Sequence, residues 1–131
     1  MQNRISIIVL LSLVMGTLTS SCQQKDYSKL VSADSLNTIL KSGNRILLDV
    51  RTPGEFVEGY IPGSINIDYL GKDFSPSLDK LDKNKQYVVY CLSGGRSALT
   101  AEIMKEKGFK KVLDLDGGII SWKEKGYKIT K

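Results

Sequence analysis

Cys91 is followed by Leu92, Ser93, Gly94, Gly95, Arg96 and Ser97. A thiol becomes a nucleophile only as its thiolate, and each part of this run favours the anion. Two glycines permit the left-handed or crowded backbone angles that turn loop N–H groups inward. The N–H groups of a first helical turn have no partners within the helix and carry its positive end. Arg96 adds a permanent cation. The chain contains no histidine, so a Cys–His pair is excluded and Cys91 depends on backbone dipoles and arginine for activation. A metal site of Cys and His is excluded for the same reason, and no cofactor is called for.

Two elements must hold this loop. Before it, Tyr87-Val88-Val89-Tyr90 has no polar residue, the pattern of a parallel strand covered on both faces. After it, Ala98, Leu99, Ala101, Ile103 and Met104 alternate with Thr100, Glu102, Lys105, Glu106 and Lys107, which predicts a helix with one apolar face, closed by Gly108. Cys91 therefore stands where a strand ends and a helix begins.

Cys91 to Ser97 resembles the C-x-x-G-x-R-S active-site loop of the rhodanese-like sulfurtransferases. Asp49-Val50-Arg51-Thr52-Pro53-Gly54-Glu55-Phe56 and Gly59-Tyr60-Ile61-Pro62-Gly63-Ser64-Ile65-Asn66 are similar to a second signature of that family, with Tyr60 where the family usually has histidine. Leu115 to Tyr127, through Gly117-Gly118 and Trp122, resembles its C-terminal end. The resemblance covers residues 30–131. It implies that Cys91 carries a sulfur atom as a persulfide, cradled by the N–H groups of Leu92 to Ser97. Arg96 would orient the donor or tune the field. The Ser93 and Ser97 hydroxyls would contact it, with capping of the helix the alternative for Ser97. Asp49 and Arg51 would brace the structure beside the loop. The donor would be a small sulfur-containing anion such as thiosulfate or a polysulfide. The acceptor would be cyanide, a thiol or a protein.

Two other functions compete. Cys phosphatases also place a cysteine and an arginine around an anion loop. Here the loop is one residue shorter than their C-x5-R spacing, and no histidine precedes Cys91. A non-catalytic binding or redox-sensing module is the other alternative, since fold alone does not prove activity.

The rest of the chain predicts an α/β domain. Its core is a parallel sheet of about five strands with helices on both faces. Leu30-Val31 reads as an edge strand and Ser32 as the N-cap of a helix through Leu40. Residues 46–50 read as a buried strand, and a short solvated helix containing Glu55 and Glu58 begins near Pro53. Residues 65–67 read as a strand, and Asp68 to Ser77 as a loop rimming the active-site mouth. Leu78 and Leu81 suggest a short helix. Val112 to Leu115 is a further strand, and Ile119 starts the last helix.

The N-terminus reads as an address. Arg4 is the only charge before Cys22, an apolar run follows it, and small residues precede the cysteine, the layout of a secretory signal peptide. Thr19-Ser20-Ser21-Cys22 resembles a bacterial lipobox, with Thr19 where leucine is usual. Residues 1–21 are thus expected to be cleaved and Cys22 lipidated. Residues 22–29 would form a polar tether, and the domain would be exported and held at a bacterial membrane, on the periplasmic or cell-surface side. Lipidation would use one of the two cysteines and leave Cys91 an unpaired thiol. The 19 Lys and Arg against 14 Asp and Glu give a net charge of +5. The lysines are scattered along the sequence, without the stripe and stacking aromatics of a nucleic-acid binder.

Overall fold

A computed structural model describes residues 29–131. The expected signal peptide, Cys22 and the expected tether up to Ser28 lie outside the described residues. Five strands form one sheet: β1 (Lys29–Val31), β2 (Ile46–Asp49), β3 (Ile65–Asn66), β4 (Gln86–Tyr90) and β5 (Lys111–Leu115). Their order is β1-β5-β4-β2-β3 and every pairing is parallel. All five carboxyl ends therefore meet at one edge, and Cys91 leaves the central strand there.

The strand sequences explain the layering. Side chains alternate between sheet faces, so Val88 and Tyr90 enter one apolar cluster while Tyr87, Val89 and Cys91 enter the other. Helices α1 (Ala33–Leu40) and α5 (Gly118–Glu124) cover the first face through Leu36, Ile119 and Trp122. Helices α3 (Phe74–Asp79) and α4 (Gly95–Glu106) cover the second through Leu78, Ala101 and Met104. Helix α2 (Pro53–Val57) buries no residue.

The structure departs from the sequence reading in two helices. In α4 the buried face is Ser97, Thr100, Ala101 and Met104, while Leu99 is 48% exposed. The helix starts at Gly95, which rotates its sheet-facing stripe onto two hydroxyl residues. Thr100 is accommodated because its Oγ1 donates to Arg96 O at 2.8 Å. Helix α3 begins at Phe74, so the expected loop is shorter. Pro76 is tolerated because a first-turn residue has no intrahelical N–H bond to lose.

A buried ion pair closes the carboxyl end of β2. Asp49 and Arg51 are 0% and 3% exposed. Arg51 donates to Asp49 from Nε and, at 2.6 Å, from Nη2. Nη2 also donates to Gly59 O at 2.8 Å and Nη1 to Glu55 O at 3.2 Å, so one guanidinium pins α2 and the turn that follows it. Burial opposes the Arg51 charge, and Asp49 overcomes it and raises the pKa. Beside the pair, Tyr90 Oη accepts from Ile61 N–H at 3.1 Å and lies 2.8 Å from Ser64 Oγ, fixing the 59–64 turn. Tyr60 stacks on Phe56 with ring centroids 4.0 Å apart, a packing role for the residue at the histidine position.

Removing one partner of a buried pair strands the other charge. Asp49→Ala is expected to lower stability by about 3–5 kcal/mol, read from denaturant unfolding. A loss below about 1 kcal/mol, the range of a surface pair, would contradict this.

Candidate active site

The loop between β4 and α4 wraps the Cys91 sulfur. Gly94 occupies the N-cap position of α4 with φ +120°, a conformation side chains rarely adopt, and its N–H donates to Cys91 Sγ at 3.1 Å. Gly95 is already helical, so only Gly94 supplies the left-handed turn. A Cβ at either glycine would meet nothing within 4 Å. The space over the loop is open at both positions.

Ser97 does not cap the helix. It is the third helical residue, fully buried, and its Oγ donates to Gly94 O at 3.2 Å and lies 3.6 Å from Cys91 Sγ. Cys91 is 1% exposed, which by itself raises a thiol pKa. Burial is indeed the largest influence. The Ser97 hydroxyl and the N–H groups of Ser97, Gly94 and Ser93 together outweigh it and lower the pKa. These donors distinguish Cys91 from an inert core cysteine.

Arg96 is held rather than free. Its Nη1 and Nη2 donate to Glu55 Oε2 and Oε1 at 2.7 and 2.8 Å, a two-pronged pairing of planar groups. Glu55 in turn accepts from the Thr52 N–H at 2.9 Å while Thr52 Oγ1 accepts from the Glu55 N–H at 3.3 Å, a reciprocal cap on α2. Arg96 chiefly, with burial opposing and Thr52 assisting, holds the Glu55 pKa down at about 2. Glu55 is therefore a positioning residue for the loop, where the sequence reading had it in a solvated helix. The Cys91 charge also raises the Arg96 pKa, so the guanidinium lies within electrostatic reach of the sulfur.

Helix α5 fixes the loop from the other side. The N–H groups of Ile119 and Ile120 donate to Cys91 O and Leu92 O at 2.9 and 3.2 Å. Gly118 has φ +61°, and a Cβ there would collide with Leu92 O and stand 2.6 Å from Cys91 O. The Gly117-Gly118 turn thus serves close packing against the cysteine loop. Leu92 and Ser93 are exposed at the loop's crest. The turns after Asp68 line a hollow of about 300 Å³ with Pro53 and Asn66, and Tyr69 and Phe74 pack against the apolar cluster that holds Cys91.

The sequence matches the rhodanese-like domain family over residues 32–125. It is 34% identical over 102 residues to a protein of Allochromatium vinosum named sulfurtransferase, covering 76% of this chain and 92% of that one. It is also 34% identical over 106 residues to thiosulfate sulfurtransferase 16, chloroplastic, of Arabidopsis thaliana, covering 73% and 88%. The fold superposes on a crystal structure of a rhodanese-related protein from Thermoplasma volcanium with a TM-score of 0.71 and 34% identity, over 78% of this chain and 97% of that one. In that relative the matched region is nearly the entire folded unit.

One buried group near the site was not read from the sequence. Asp114 of β5 is 2% exposed, its Oδ1 has no hydrogen-bond partner, and Ser97 faces its carboxyl. The signal was a single acid inside the apolar strand Val112-Leu113-Asp114-Leu115. Burial chiefly, with Asp116 adding and Ser97 opposing, lifts its pKa from 3.8 to about 6. A raised pKa means that the folded state binds the proton more tightly than the unfolded chain. Asp114 thus supports the fold below about pH 4 and loses that contribution as pH rises through 6. Asp114→Asn, which cannot ionise, is expected to be more stable than the wild type at about pH 8 by roughly 1–3 kcal/mol, with the gap closing near pH 4. Urea midpoints at the two pH values measure this. A gap that does not change with pH would contradict it.

Proposed function

This chain belongs to the rhodanese-like domain family, and from that premise we propose that it moves a sulfane sulfur through a persulfide on Cys91. Family membership and the named sulfurtransferase relatives support sulfur transfer in general. The observation that carries the finer reading is the set of N–H groups and the Ser97 hydroxyl gathered on one sulfur.

Two half-reactions follow from this geometry. The Cys91 thiolate attacks the outer sulfur of thiosulfate, forming a new S–S bond. The donor's S–S bond breaks and sulfite leaves with the electron pair. A polysulfide would react alike, releasing a polysulfide one sulfur shorter. The outer sulfur of the persulfide then carries the negative charge. The inward N–H groups stabilise it as an oxyanion hole stabilises oxygen. An acceptor thiolate or cyanide attacks that outer sulfur, the Cys91 S–S bond breaks, and the thiolate is regenerated. No electrons enter or leave overall.

Arg96, locked to Glu55, acts as a fixed positive charge that favours an anionic donor without closing over it. Asp49 and Arg51 position α2 and hence Glu55. We further propose that the domain works outside the cytoplasm, tethered by lipid on Cys22, a reading supported by the charge, apolar run and small residues of the N-terminal segment.

In a thiosulfate:cyanide assay, Cys91→Ser is expected to lose thiocyanate production entirely. Glu55→Gln, which frees Arg96 and leaves the nucleophile in place, should lower kcat/KM about 10-fold or more. A Cys91→Ser protein that retains turnover would overturn the persulfide route.

A further inference from the structure

The lysines that are scattered in sequence converge in the fold. A parallel sheet starts all its strands at one edge, opposite the carboxyl edge where Cys91 lies. At that starting edge Lys29 opens β1, Arg45 precedes β2, Lys85 precedes β4, and Lys110 and Lys111 lead into β5. They are contiguous. Lys29 and Arg45 line one hollow, and Arg45 and Lys85 line another. Lys111 is in register with Gln86, the neighbour of Lys85, and the Lys110 N–H donates to Lys83 O. Four of the five are exposed and Arg45 is half-buried. None of the five takes part in a salt bridge among the described residues, where the ion pairs engage Arg51, Arg96, Lys107 and Lys125. Of the acids before β4, Asp79 is paired with Lys107 Nζ, while Asp82 accepts the Asn84 N–H and keeps its charge.

We propose that this basic edge seats the domain on an anionic phospholipid surface, with the Cys91 loop facing away from the bilayer. Where the chain enters argues for this occupant. Residues 1–28, with their apolar run, join the domain at Lys29, within the basic edge itself, so any anchor in that segment delivers this edge to the membrane first. Nucleic acid fits less well. Among the described residues the exposed large apolar side chains are all aliphatic, and single strands need aromatic platforms. The five residues of β4 span about 17 Å, so the reacting sulfur would stand well clear of the headgroups. It would meet soluble donors and acceptors rather than lipid. The proposal rests on the tethered reading only for how the surface is reached. Its test involves neither lipidation nor sulfur transfer.

The test uses residues 29–131, which hold both apolar clusters and match nearly the whole of a solved relative. Co-sedimentation is measured with vesicles of equal parts phosphatidylglycerol and phosphatidylcholine, and with phosphatidylcholine alone. Each basic residue near an anionic surface contributes about five-fold to partitioning. The wild type should bind the anionic vesicles at low salt, release at high salt, and ignore phosphatidylcholine. The triple variant Lys85→Gln, Lys110→Gln, Lys111→Gln should bind about 100-fold more weakly, with an unchanged circular dichroism spectrum. Lys72→Gln, on the opposite side of the sheet, should bind like the wild type. Equal losses in both variants, no binding by the wild type, or retention on heparin without binding to vesicles would each overturn the proposal.

Discussion

The buried pair of Asp49 and Arg51 is the constraint on which the site depends. Alone it would be a poor bargain, since desolvating two charges costs about as much as their attraction returns. Its value lies in the hydrogen bonds left over. The spare Arg51 donors reach Glu55 O and Gly59 O, and the Asn66 side chain donates to Asp49 O and Arg51 O. Helix α2, which has no buried residue of its own, is thereby fixed to the end of β2. From that fixed helix Glu55 reaches across to Arg96 and sets the cation beside Cys91. The path from strand end to reacting sulfur runs through charged and hydrogen-bonded groups at every step.

The same logic solves a problem posed by composition. A cysteine with 1% exposure should resist ionisation, and this chain has no histidine to take its proton. The loop answers with neutral dipoles. Its backbone N–H groups and the Ser97 hydroxyl lower the pKa without putting an acid or base against the sulfur. Asp114 works in the opposite direction. Its carboxyl also faces the Ser97 hydroxyl, whose single proton goes to Gly94 O in this structure, so burial dominates and raises the Asp114 pKa.

Local patterns made much of this legible in the sequence. Tyr87 to Tyr90 had to be buried on both faces, Cys91 had to follow it, and the glycines had to turn the chain; these depend on neighbours in sequence alone. Ser32 and Pro53 marked helix starts by equally local rules. What escaped depended on distance. The pairing of Glu55 with Arg96 spans 41 positions, and nothing in Thr52-Pro53-Gly54-Glu55 distinguishes a capping glutamate from one that also holds an arginine. The buried face of α4 was misassigned because tertiary packing, not hydropathy, decided that Ser97 and Thr100 face the sheet while Leu99 faces water. The gathering of lysines at one edge required the strand order.

The proposed chemistry turns on the Cys91 sulfur becoming a persulfide. Intact mass spectrometry of the reduced domain after brief exposure to thiosulfate or polysulfide tests it most directly. One added sulfur atom, absent from Cys91→Ser and removed by cyanide, is the predicted result. A folded, reduced protein that gains no sulfur from either donor would contradict the claim.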